Sequence, residues 1–130
     1  MRSREQLKRS VCDAVEANRE RIVGLGEAVM DEPELGFKEH RTAERTKTIF
    51  DEAGLPMQEG LALTGVRAVL DTGRPGPTVA LMGELDALIV PDHPRADRDT
   101  GAAHACGHNA QIAGLAGAAL GLAASGGAEQ

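Results

Sequence analysis

The sequence predicts an α/β fold in which a central sheet is flanked by helices. Three observations point to it: apolar residues recur at helical spacing near both ends of the chain, short apolar runs of strand character lie between them, and Gly/Pro clusters punctuate the middle. With 130 residues the chain has the length of one domain at most.

The first element spans residues 5–31. Leu7, Val11, Val15, Ile22, Leu25 and Val29 recur at mostly three- and four-residue steps, which predicts one amphipathic helix with Lys and Arg on its other face. Gly24 and Gly26 weaken its second half by up to about 1 kcal/mol each relative to Ala, and Pro33 stops it. Residues 32–36, Glu-Pro-Glu-Leu-Gly, then read as a turn. A second helix is expected over 41–53, where Ala43, Ile49, Phe50 and Ala53 form the apolar stripe and Gly54 and Pro56 follow as punctuation.

Two strands are expected next, at 66–71 and 79–82, joined by the turn cluster Thr72-Gly73-Arg74-Pro75-Gly76-Pro77. The second is apolar almost without interruption, as befits a strand covered on both faces. Residues 89–103 show no periodicity and read as a surface loop long enough to suspect of function. Ile112, Leu115, Ala119 and Leu122 predict a last helix over 109–124, whose Gly114, Gly117 and Gly121 allow close approach of another element. Ser125-Gly126-Gly127 ends it, and 128–130 read as a frayed tail.

Composition narrows the function. Fourteen Lys and Arg against 20 Asp and Glu give a net charge of −6, and the pI is near 5.2, so the chain is not a general binder of phosphate backbones and nucleic acid is not an expected partner. The longest weakly polar stretch, 112–124, is too short and too mildly apolar to span a bilayer. No apolar segment follows the basic residues near Met1, which makes the cytoplasm the expected compartment. Two Phe, no Tyr and no Trp, beside 16 Gly, predict little buried area per residue and a fold of marginal stability by itself. Cys12 and Cys106 lie too far apart, in a chain of this kind, to suggest a disulfide framework, and Cys12 reads as an inert small residue on a helix face.

The densest chemistry is His104-Ala105-Cys106-Gly107-His108-Asn109, three potential metal ligands within five residues just ahead of a helix. Thiolate and neutral imidazole both suit zinc and its neighbours. The plainer alternative has the two histidines capping or packing locally and Cys106 buried; a further one makes Cys106 a reactive thiol lowered in pKa by the helix that follows. A second feature accompanies the first: Gly83-Glu84-Leu85-Asp86-Ala87-Leu88 ends the apolar strand, where the i, i+2 relation sends Glu84 and Asp86 to one face. Carboxylates there serve either as oxygen ligand and orienter of an imidazole or merely as solvated strand-end charges.

Together the two segments resemble the metal-dependent amidohydrolases and carboxypeptidases, in the branch of aminoacylase, hippurate, indole-acetyl amino acid and p-aminobenzoyl-glutamate hydrolases. Asp31-Glu32-Pro33-Glu34-Leu35-Gly36-Phe37-Lys38-Glu39 is similar to a turn of the same family, and Glu44 fits the segment that follows it. The resemblance runs from about residue 22 to 122. It implies parallel pairing of the main strands, with the motifs at their carboxyl ends. It implies Cys106 and His108 as metal ligands, Asp86 as the catalytic-site residue that orients the metal shell, Glu84 as a further ligand where relatives often carry Asp or His, and His104 and Asn109 as residues lining the site. The cofactor it implies is one or two divalent ions, zinc or manganese. The substrate it implies is a small amide with a free carboxylate, and Asn109, in place of the Asp of hippurate-type members, favours the p-aminobenzoyl-glutamate and N-acyl dipeptide branch.

The family's Glu-Glu pair, its later Glu and His ligands and its lid or dimerisation domain have no counterpart in these 130 residues. The expectation is therefore a single partial catalytic domain over 1–130, the front piece of a hydrolase, weakly active or inactive alone and completed by a C-terminal fragment or a second copy. The competing expectation is a non-catalytic metal-binding or dimerising module.

Overall fold

The computed structural model describes residues 2–126. The expected tail at 128–130 lies outside the described residues, as does Met1. In chain order the elements are α1 (Arg4–Ala17), α2 (Arg19–Asp31), α3 (His40–Glu52), β1 (Met57–Leu61), β2 (Gly65–Ala68), β3 (Leu88–Ile89), β4 (Ala102–Ala103) and α4 (His108–Ala124).

The single helix expected over 5–31 is two helices. Asn18 sits at φ −103° and ψ 12°, its amide nitrogen donates to the Ala14 carbonyl at 2.9 Å, and its backbone N–H turns to Val15 O at 3.1 Å. A short polar side chain that bonds its own backbone competes with the helical ladder, so Asn18 closes α1 and opens α2. At the start of α1, Ser3 and Gln6 form a reciprocal capping box. The helix expected over 41–53 appears as α3, ended by paired bonds from Leu55 N to Phe50 O and Gly54 N to Asp51 O, both at 2.9 Å, the geometry of a Schellman cap.

The core is the seam between α2, α3 and α4: Leu25, Val29, Ile49, Ile112, Ala116 and Leu120, with Ile22, Ala53 and Leu85 against it. Small residues of α4 make the approach of α1 and α2 possible, as expected from their spacing. A Cβ on Gly121 would lie 2.8 Å from Val15 Cγ2, closer than real Cβ contacts come, and 3.1 Å from Val11 Cγ1, a tight approach.

The central parallel or mixed sheet is not formed among the described residues. The two sheets there are antiparallel and two-stranded, β1 with β2 and β3 with β4, and the parallel pairing is a lone bridge between Leu35 and Ala87. The segment expected as a strand at 66–71 contributes β2, but its partner is β1, which no alternation in Met57-Gln58-Glu59-Gly60-Leu61 announces. Residues 79–82 belong to no strand and have no ladder partners, with Val79 79% and Met82 89% exposed. A strand apolar on both faces needs neighbours along its edges and layers above and below it, and none of the described residues supplies them. The expected loop at 89–103 is pinned at its ends by β3 and β4, and Arg95 within it bridges to Glu27 and Asp31 of α2. No helix among the described residues is long and apolar enough to cross a membrane. Cys12 and Cys106 are both free and exposed, so Cys12 is a surface residue of α1 and not a packed one.

Candidate metal centre

The site forms where the extended segment 83–87 meets the first turn of α4. Its position is held from two sides. On one, Ala87 N donates to Glu34 O at 2.7 Å, while the Glu34 carboxylate accepts Arg41 N and Nε with one oxygen and Thr42 N and Oγ1 with the other, at 2.9–3.2 Å. The turn before α3 is thereby tied both to the helix start and to the strand tip. Burial pushes the Glu34 carboxyl up, but the N–H groups of Thr42 and Arg41, joined by the Thr42 hydroxyl and the Arg41 guanidinium, outweigh it and hold it below the ordinary carboxylate range. On the other side Gly107, at φ 88°, reverses the chain between Cys106 and His108, so that α4 begins at His108 with its ring buried.

Glu84, Asp86 and His108 converge there, each offering a ligand atom within 4.8 Å of the others. His108 Nδ1 lies 2.7 Å from the Asp86 carbonyl oxygen and 3.1 Å from Asp86 Oδ1; its Nε2 lies 3.0 Å from Glu84 Oε2. Nδ1 thus faces two acceptors and carries the proton, which assigns the tautomer from the network and leaves a lone pair on Nε2. That lone pair points at a carboxylate oxygen. Two acceptors this close are repulsive unless a cation, a proton or a metal ion, lies between them, and an ion with bonds of about 2.0–2.2 Å to nitrogen and oxygen suits the separation. Asp86 on the far nitrogen is the carboxylate partner that fixes a ligating imidazole. The donor set therefore fits a divalent ion held by His108 Nε2 and Glu84, with Asp86 as orienter.

The remaining expected site residues are distributed differently. Cys106 stands exposed on the turn, outside the three-residue group. Gly107 separates it from His108 by a reversal of direction, so nearness in sequence does not bring thiol and imidazole into one donor cluster here. Asn109 spends its amide on the Gly26 carbonyl of α2, at 3.2 Å, an interhelical bond. His104 is 3% exposed with neither ring nitrogen hydrogen-bonded among the described residues. Burial, and after it the nearby His108, lower its pKa against the pull of Asp86, so it is kept neutral beside the site. Sequence reasoning missed Glu34 and Gln111, both of which hold the cluster in place; only a polar residue three positions after His108 hinted at the second.

Fold and site together define a helix-rich α/β segment bearing a carboxylate–imidazole cluster that could hold a metal ion. Comparison with known proteins finds curated relatives that are amidohydrolases. YhaA of Bacillus subtilis (strain 168), an amidohydrolase by name, is 38% identical over 86 residues, 64% of this chain and 22% of that protein. IAA-amino acid hydrolase ILR1-like 5 of Arabidopsis thaliana is 36% identical over 101 residues, 75% of this chain and 23% of its own length. N-acetyl-L-cysteine deacetylase of Bacillus subtilis (strain 168) is 32% identical over 102 residues, 76% of this chain and 24% of that enzyme. The chain spans about a quarter of the length of the curated relatives it matches. No protein-family model matches it. No solved structure matches it.

Proposed function

We propose that this chain supplies the metal-binding part of a catalytic domain that hydrolyses the amide bond of N-acyl amino acids. The observation that carries the reading is the His108 imidazole, with Nδ1 against the Asp86 carbonyl and carboxylate and Nε2 facing the Glu84 carboxylate 3.0 Å away. A divalent cation of the zinc or manganese kind supplies Lewis acidity toward an amide carbonyl and acidifies water. His108 and Glu84 would hold it, Asp86 would keep the imidazole in the ligating tautomer, and buried, neutral His104 stands beside them. Two relatives name N-acyl amino acids as substrates, an IAA-amino acid and N-acetyl-L-cysteine, and both substrates carry a free carboxylate, which supports an acyl amino acid in place of a peptide interior.

The two donors of this segment, His108 and Glu84, leave the general base to protein outside it, as the share of the relatives' length suggests. The segment 79–82 is then a strand of the completed domain's sheet. The test is to measure metal content and turnover of N-acetyl amino acids side by side. We expect the 130-residue chain to bind a divalent ion, lose it in His108→Ala, and turn over these substrates little or not at all. Rapid turnover by the chain alone, or equal metal content in native and His108→Ala protein, overturns the reading.

A further inference from the structure

We propose that Gln111 is the positioning residue that holds Glu84 in place to bind the metal ion, an inference that rests on the reading of Glu84 and His108 as donors. Its carboxamide engages Glu84 twice: Oε1 accepts the Glu84 backbone N–H at 3.1 Å, and Nε2 donates to Glu84 Oε2 at 3.2 Å. The oxygen it holds is the one that lies 3.0 Å from His108 Nε2. Reciprocal bonds of this kind fix the amide orientation, since a flipped carboxamide would set its oxygen against a carboxylate and its NH2 against an N–H.

The need for such a device follows from the backbone. No strand among the described residues pairs with residues 78–84, so Glu84 lies at the end of a run without ladder support, and its side chain is 62% exposed. A free carboxylate on a free backbone loses rotamer and backbone entropy when it takes up an ion. Gln111 stands three residues after His108, on the same face of α4, so one helical turn carries both the imidazole and the clamp for its partner. Gly83 packs beneath, where a Cβ would sit 3.3 Å from Ile112 Cδ1, which brings the strand tip close enough for the side chain to reach. Gln111 acts as a side-chain substitute for the missing neighbour strand.

The experiment is a titration of the full chain with Co2+, followed by the visible absorption of the bound ion, on native protein, Gln111→Leu, Glu84→Gln and the double variant. Gln111 is exposed, so Gln111→Leu leaves the core untouched; Gln111→Asn, one methylene too short, is the second variant. We expect either Gln111 variant to weaken Co2+ binding roughly tenfold or more, the usual reach of an outer residue on a metal site. In the Glu84→Gln background the same change is expected to cost nothing further, a coupling that a merely structural role does not produce. Native affinity in both Gln111 variants, or an equal further loss in the double variant, overturns the positioning role while leaving the site intact. Unchanged Co2+ binding in Glu84→Gln removes Glu84 from the donors, and the proposal with it.

Discussion

At the residue scale the centre depends on which nitrogen of His108 carries the proton, and Asp86 decides that. Replacing Asp86 by Asn keeps the shape but weakens the anchoring of Nδ1, and metal affinity is expected to fall about 10- to 100-fold, read by competition with a chelator. Glu34 is the second decisive residue, because its half-buried carboxylate ties Arg41 and Thr42 together while its backbone carbonyl holds the strand tip. Its folded-state pKa is depressed, so the stability it contributes is fully present above the ordinary glutamate value of about 4.3 and is lost as pH falls through the lower folded value. Glu34→Gln is expected to flatten the acid limb of a stability–pH curve and to lower stability near neutrality by about 1–2 kcal/mol; an unchanged acid limb in denaturant unfolding contradicts this. The two motifs were legible as chemistry because residue types and spacing carry it. Which side chains converge was not: Glu84, Asp86 and His108 group together while Cys106 stands exposed on the other side of the left-handed Gly107, and no pattern in Ala105-Cys106-Gly107 announces it.

At the scale of elements, helices were legible and sheets were not. The three- and four-residue spacing in α2 and α3 reports a local period that the backbone itself imposes, whereas strand pairing depends on partners distant in sequence. Residues 79–82 show the difference: their apolar run correctly signals a segment made for burial, yet nothing among the described residues buries it. The double variant Val79→Thr with Met82→Ser is therefore expected to leave the thermal midpoint of this chain unchanged while reducing self-association in light scattering; a large drop in the midpoint contradicts the exposed placement. The close packing of α1 on α4 gives the opposite case. Gly121→Val drives a branched side chain into Val11 and Val15, and a loss of about 1–3 kcal/mol is expected in urea unfolding.

At the scale of the whole molecule, a small aliphatic core of six residues and an acidic surface describe a chain of limited stability, to which a bound ion adds directly. An ion that binds only the folded state stabilises it by about 2.7 kcal/mol at a hundredfold excess over its Kd, so the thermal midpoint is expected to rise with Zn2+ or Mn2+ and return with a chelator. The order of helices first, short strands next and a closing helix last, and the meeting of two distant motifs, were readable from the sequence. The antiparallel pairing was not, since two- and four-residue strands carry too little period to declare a partner. The central claim is that His108 Nε2 and the Glu84 carboxylate share one cation while Asp86 holds Nδ1. Anomalous diffraction from crystals of the chain soaked in Zn2+ or Mn2+ tests it most directly. The account predicts a peak between Nε2 and Glu84 with Asp86 still on Nδ1; an ion held by Cys106 with Glu84 turned away, or one bound at Nδ1, contradicts it.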